Sequence, residues 1–243
     1  MSQPLFFVDA HCHLGKDPNC LVTAPAVINS ANSGDWEAIF QFCSHHSKVI
    51  PGFGIHPWET DTSSKQTVLR LEREVLNWID AMPNRTHCVI GEIGLHKSPE
   101  KPPLERQHFF LEAQLVLAQK YFLVPCIHCV KAWQPLQEAL LKHPPPRGFL
   151  IHDYSGSIES LKRFLSNGAY VSFSEKSFTR NPQKKISLIQ KIPTNRYLLE
   201  SDQEYPSNLQ AYYQTVARKL NTSPQKLVKQ MNENFINLFS STK

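Results

Sequence analysis

Two histidines separated by one residue, His11 and His13, directly follow the apolar run Leu5–Ala10. In an extended chain, side chains two apart point to the same face, so both imidazoles can reach one ion from a strand end. Imidazole suits zinc, manganese, iron and similar divalent cations. Taken alone, the pair also reads as a polar strand end. A second signal is Glu92, inside the apolar stretch Val89-Ile90-Gly91-Glu92-Ile93-Gly94. A carboxylate there is costly to bury unless it is paired or bound to a metal. Glu92 is thus a candidate bridge between two cations, or one half of a buried ion pair with Arg106.

His128 closes Pro125-Cys126-Ile127 and His152 closes Phe149-Leu150-Ile151. A lone histidine at such a place is more often a satisfied core residue. Two at equivalent places on successive strands point to a shared site. Asp202 follows Tyr197–Ser201. At the end of a last strand it would lie beside the first once a barrel closes, as metal ligand and general base together. The alternative for Asp202 is an N-cap on the following helix.

The elements that must position these groups alternate strand with helix. Strand-like segments are Leu5–His11, Ala26–Ser30, Val49–Gly54, Cys88–Gly94, Val124–Cys129, Phe149–His152, Ala169–Phe173 and Tyr197–Glu200. Nearly continuous apolar runs such as LFFVDA fit parallel strands covered on both faces. Helical periodicity marks Thr67–Ala81, Leu104–Tyr121, Ser157–Asn167, Leu209–Leu220 and Pro224–Phe239, with Ser157 and Thr222 or Ser223 as caps. Asn29–Gly34 and Ser174–Gln183 read as mobile loops over the mouth. This alternation predicts a (β/α)₈ barrel, with the candidate ligands at the C-terminal strand ends where barrel enzymes keep their sites. At 243 residues the chain matches one such barrel, typically about 250 residues, so a single domain over 1–243 is expected.

Composition narrows the function classes. No apolar run is long enough to span a membrane, and the N-terminus does not read as a signal peptide. The six scattered cysteines suit reduced thiols and a cytoplasmic location. A net charge of +5 accommodates an anionic substrate without the strongly basic footprint of a dedicated DNA binder. Cys126 and Cys129 have CxxC spacing but fall on opposite faces of a strand, so they do not form a redox or zinc pair. Lys184, Lys185 and Lys191 read as a solvated helix face. Trp36, Trp78 and Trp133 read as packing residues, and Trp58 as a stacking candidate near the mouth.

As an ordered set, VDAHCHL (Val8–Leu14), PGFGIHPW (Pro51–Trp58), GEIGL (Gly91–Leu95), QLVLAQKYFLVPCIH (Gln114–His128), HDYSG (His152–Gly156), LLESD (Leu198–Asp202) and NENFINLF (Asn232–Phe239) resemble the TatD-related hydrolases of the amidohydrolase superfamily. The resemblance implies two divalent cations (magnesium, manganese or zinc), one held by His11, His13, Glu92 and Asp202, the other by Glu92, His128 and His152, with Glu92 bridging. It implies Asp202 and Glu92 as catalytic groups, Asp202 taking a proton from the attacking water. It also implies that His56 hydrogen-bonds a substrate phosphate, against the plainer reading of a turn residue fixed by Pro57. The expected activity is phosphodiester hydrolysis, with DNA as partner and a deoxyribonuclease as the leading reading. The chain departs from the family pattern in places: His96 stands where aspartate is usual, Val130 where arginine is common, Asp153-Tyr154 where Cys-Phe follows the histidine, and Ser201 where threonine is usual. Loss of the arginine keeps two other readings open: hydrolysis of a small ester, lactone or amide, and a catalytically weak barrel that serves as a binding partner.

Overall fold

The computed structural model describes residues 6–17, 20–82 and 88–240. The strands are β1 (Asp9–Leu14), β2 (Ala26–Asn29), β3 (Val49–Phe53), β4 (Val89–His96), β5 (Pro125–Val130), β6 (Phe149–Ile151), β7 (Ala169–Ser174), β8 (Tyr197–Glu200) and the short β9 (Glu204–Tyr205). They form one parallel sheet in the order β8-β7-β6-β5-β4-β3-β2-β1-β9. β8 and β9 sit at opposite edges of that order, yet only Ser201–Gln203 separate them. The sheet must therefore curl until its edges meet. At the seam, Asp202 N donates to His11 O at 3.1 Å, Ser201 N to Asp9 Oδ1 at 2.9 Å and His13 N to Gln203 O at 2.9 Å. The result is the α/β barrel expected from the strand–helix alternation, joined at one seam by a short ninth strand that the sequence pattern did not reveal.

The helices are α1 (Trp36–His45), α2 (Lys65–Ala81), α3 (Leu104–Lys120), α4 (Trp133–Lys142), α5 (Ile158–Ser166), α6 (Glu175–Arg180), α7 (Pro182–Ile189), α8 (Gln210–Lys219) and α9 (Pro224–Phe239). They cover the outer face with apolar stripes such as Leu71, Val75 and Trp78 of α2. Ser157 and Ser223 cap α5 and α9 as expected, each accepting the amide three residues on. α1 and α4 were not marked by periodicity.

Several expected boundaries shift. The first strand starts at Asp9, and Leu5 lies outside the described residues. β4 and β5 continue to His96 and Val130, so the ladder reaches two residues past Gly94 and one past Cys129. Ser174–Gln183, expected as a loop, is mostly helical. Ser174 caps α6, Asn181 caps α7 with Pro182 at its first turn, and buried Phe178 anchors the segment against Tyr212. Asn29–Gly34 does run as a connection, held by the Asp35 carboxylate accepting from Ala31 N and Asn32 N, both at 3.0 Å.

Two glycines of β4 let neighbouring groups crowd the mouth. A Cβ on Gly91 would lie 2.2 Å from Asn29 Oδ1, and one on Gly94 (φ +145°) would lie 1.9 Å from His128 O. Gly94→Ala is expected to lower stability by roughly 2–4 kcal/mol through overpacking and backbone strain. Chemical denaturation would read this, and a variant as stable as wild type would refute the close-approach account.

Candidate metal centre

The geometry of the mouth is organised by Glu92, only 4% exposed. Its two oxygens face different partners. Oε2 lies 3.3 Å from His11 Nε2 and 3.9 Å from His13 Nε2. Oε1 lies 2.9 Å from His152 Nε2, 3.0 Å from His128 Nδ1 and 3.3 Å from His56 Nε2. Asp202 Oδ1 approaches from the seam, 3.6 Å from His13 Nε2 and 3.9 Å from His11 Nε2. All six expected ligands and His56 are thus gathered in one cluster. Arg106 is not part of it. Its guanidinium bonds the Thr60 and Ser63 carbonyls and faces Asp61, which removes the ion-pair alternative for Glu92. Asp202 does not cap a helix either, since α8 begins at Gln210.

Each imidazole is anchored through its other nitrogen. His13 Nδ1 donates to the Asn29 carbonyl at 3.0 Å, which leaves a lone pair on Nε2. Asn29 Nδ2 lies 3.0 Å from His11 Nδ1. It donates to that nitrogen, so a neutral His11 ring carries its proton on Nε2, which faces Glu92 Oε2 at 3.3 Å. His11 Nε2 is fully buried and has no well-aligned hydrogen-bond partner. His56 Nδ1 accepts the Trp58 amide at 3.2 Å, so a neutral ring carries its proton on Nε2, aimed into the mouth. In that form His56 faces Glu92 Oε1 as a donor, 3.3 Å away.

Further side chains stand behind these imidazoles as a second layer, among them groups to which the sequence pattern assigns no role. His96 Nδ1 lies 2.8 Å from His128 Nε2. Burial, then the nearby His128 and Lys101, lower the His96 pKa to about 4, so a neutral ring can accept from His128 and leave Nδ1 free toward Glu92. Gln107 pins His96 through its backbone, accepting its amide at 2.6 Å and donating to its carbonyl at 3.0 Å. Behind His152, Glu200 is fully buried; its Oε1 accepts the Asp153 amide at 3.0 Å and lies 3.4 Å from His152 Nδ1, while its Oε2 accepts the Ser172 hydroxyl. Burial raises the Glu200 pKa to about 7. A carboxylate inside the apolar run Leu198–Glu200 was the available signal, the same one that singled out Glu92. Lys185 corrects the solvated-face reading: it is 6% exposed, and its Nζ donates to Tyr154 O at 2.7 Å and lies 3.9 Å from Asp153.

Electrostatics match the chemistry of a cation site. Burial works against a charge on Glu92, but the surrounding imidazoles, His152 foremost, hold its carboxyl well below the ordinary value. Burial lowers His11 to about 4 and keeps it neutral. Burial also opposes a proton on His152, but Glu92 and Glu200 outweigh it and raise its pKa well above the ordinary value. Three sets, His11/His13/Glu92, His11/His152/Asp202 and His56/Glu92/His128, bring nitrogen and carboxylate atoms within 4.8 Å of one another. A nitrogen-rich set joined by a carboxylate, with the buried His11 Nε2 unpartnered, fits divalent cations.

Comparison with known proteins agrees with this chemistry. The profile of the family described as "TatD related DNase" matches residues 8–240. The chain is 26% identical to the Escherichia coli metal-dependent hydrolase YjjV, over 81% of this chain and 78% of that one. The crystal structure of YjjV superposes with a TM-score of 0.81 at 21% identity, covering 96% of this chain and 97% of that one. The Schizosaccharomyces pombe protein named deoxyribonuclease Tat-D is 22% identical over 72% of this chain and 58% of its own length. The human 3′-5′ RNA nuclease TATDN2 is 29% identical over 82% of this chain, which spans 28% of that protein.

Stripped of metal by a chelator, the protein is expected to take up zinc or manganese with a rise in melting temperature. Binding displaces the proton that His152 carries, so apparent affinity should rise with pH. Glu200→Gln and His96→Ala should each weaken binding by roughly 10–100-fold, read by competition with a chromophoric chelator. Unchanged affinity in both variants would remove the second layer from the account.

Proposed function

The chain belongs to the TatD-related DNase family, and from that premise and the divided Glu92 carboxylate we propose that it is a two-cation phosphodiester hydrolase acting on the ends of DNA. His11, His13, Glu92 and Asp202 would hold one ion, and Glu92, His128 and His152 the other. When bound, such a pair supplies Lewis acidity at a phosphoryl oxygen and lowers the pKa of water. Asp202 stands at the mouth, where its carboxylate takes a proton from the attacking water. Burial works against its charge, but hydrogen bonding to His13 and the field of the neighbouring imidazoles outweigh it and lower the Asp202 pKa to about 2, so it is ionised and able to accept. His56 presents its Nε2 proton to the phosphoryl oxygen, a donor preset by the Trp58 amide. Asp9, accepting from His11 N, Ser201 N and Ser207 Oγ, ties β1 to the end of β8 and so holds Asp202 opposite His11.

The observation that carries this reading is that one buried carboxylate turns its Oε2 to His11 and His13 and its Oε1 to His128 and His152. Relatives named as a deoxyribonuclease and an RNA nuclease support phosphodiesters as the substrate class. Val130 favours a second reading, since it leaves the strand-5 end without a guanidinium for phosphate: hydrolysis of a small ester or lactone.

Protein loaded with magnesium, manganese or zinc is expected to shorten single-stranded DNA. Chelation should stop the reaction, and Asp202→Ala should slow it by about 10²–10⁴-fold, as for loss of a general base. Gel analysis of end-labelled DNA reads both effects. Wild-type rates in Asp202→Ala would overturn the assigned roles, and turnover of lactones without DNA cleavage would favour the second reading.

A further inference from the structure

Next to the metal centre lies a cavity of about 700 Å³, lined by His96, Lys97, Lys101, Pro102, Leu104 and Lys131 among others. It begins one imidazole away from the ligands, since His96 lies against His128. Two of its lysines emerge side by side. His96 and Val130 are opposite one another in the β4–β5 ladder, and Lys97 N donates to Val130 O at 2.9 Å. Lys97 and Lys131 therefore leave the ends of adjacent strands together. Lys131 does so with φ +54°, a turn that carries the chain off the sheet. The third, Lys101, places its Nζ 3.5 Å from the centroid of the Trp58 ring. That ring is 49% exposed, and its centroid lies 5.5 Å from that of His96 and 6.2 Å from that of His128. His96 is the wall shared by the centre and the cavity, and Trp58 links Lys101 to it.

The loop that carries these lysines is held in shape. Pro99, Pro102 and Pro103 restrict its backbone, and Gln107 Nε2 donates to Pro102 O at 2.5 Å. Among the described residues, none of the three ammonium groups forms an ion pair. Glu100 stands on the same loop, with its carboxylate accepting from the Ser98 hydroxyl. Three cations around a partly apolar cavity, with Glu100 as the carboxylate near Lys101 and Lys131 and no ion pair formed, leave an excess of positive charge that suits an anion. Lysine binds phosphate as a mobile point charge and needs no planar, bidentate partner.

We propose that this basic pocket binds the phosphate adjacent to the scissile one, making the chain selective for substrates that carry a second phosphate. The proposal rests on the phosphodiesterase reading for its choice of ligand. Lys97 and Lys131 take over the charge role of an arginine at position 130 from a different direction, and Lys101 closes the pocket over Trp58.

Binding and catalysis test this separately. Inorganic phosphate titrated into ¹⁵N-labelled protein should shift the amides of Lys97, Lys101 and Lys131 saturably. Lys97→Ala combined with Lys131→Ala should weaken that response at least tenfold and flatten its dependence on salt. Amides at these positions that do not respond would overturn the pocket. In the kinetic arm, a thymidine dinucleotide with a terminal phosphate should show at least tenfold higher kcat/KM than the unphosphorylated dinucleotide. The double variant should bring the ratio near one. Equal kcat/KM in wild type would overturn the selectivity. Failure to hydrolyse either dinucleotide, or bis(p-nitrophenyl) phosphate, would overturn the phosphodiesterase reading, while the titration still decides the pocket.

Discussion

A carboxylate withdrawn from water and ringed by imidazole nitrogens is the constraint on which the rest of this structure turns. Glu92 meets His11, His13, His56, His128 and His152 within 3.9 Å. Burial alone would push such a group toward its neutral form. The imidazoles reverse that, so the ionised carboxylate persists only while the strands around it stay in register. β1, β4 and β5 carry these groups within the strand, β6 places His152 directly after its end, and β3 leads to His56 three residues on. A slip of one residue in any of them would turn a ligand-bearing side chain to the opposite face. The close packing of Gly91 and Gly94 against Asn29 and β5 serves the same requirement, because it brings β4 near enough for one side chain to reach both halves of the cluster.

Orientation is set one layer further out. An imidazole has two nitrogens, and the one that faces the centre is chosen by what the other one meets. The partners are a backbone carbonyl for His13, a side-chain amide for His11, a backbone amide for His56, a second imidazole for His128 and a buried carboxylate for His152. The partner types differ, and so do the consequences. The Asn29 carbonyl takes the His13 proton and leaves that ring a lone pair inward. The Asn29 side-chain amide and the Trp58 amide each give a proton, and leave neutral His11 and His56 rings with a proton inward. Hydrogen-bond partners thus set which histidines meet the centre as acceptors and which as donors.

The first layer was legible because its chemistry conflicts with its surroundings. A glutamate inside VIGEIG and histidines closing PCIH and FLIH are expensive unless they share a purpose, and an apolar strand fixes where each must emerge. The second layer was harder to read, because the same side chains have ordinary explanations. Asn29 ends an apolar run as a turn residue would, and His96 follows Leu95 like any strand end. Glu200 carried the same signal as Glu92 but was absorbed into a motif. Lys185 misled for another reason: adjacent lysines on a helix are usually solvated, and only the tertiary structure places Tyr154 O and Asp153 against one of them. The segment after β7 misled through its polar, Pro-containing composition; Phe178 and two capping side chains were sufficient to make it helical.

The two departures at His96 and Val130 acquire a common meaning in the ladder. These residues are direct partners between β4 and β5. The aspartate and arginine usual at these places in TatD-related chains would therefore face each other as opposite charges across two strand ends. Replacing either alone would leave an unpaired charge beside the centre, costly where water is scarce. Replacing both removes one negative and one positive charge, and the local balance is kept. What changes is the distribution. The acceptor behind His128 is a neutral ring in place of a carboxylate, which would make that imidazole a weaker donor to a bound cation. Positive charge stands one residue beyond each of these positions, on Lys97 and Lys131, around a cavity instead of within the ladder. Charge conservation across a registered pair thus connects the group behind His128 to the make-up of the neighbouring cavity, and makes the two substitutions parts of one change.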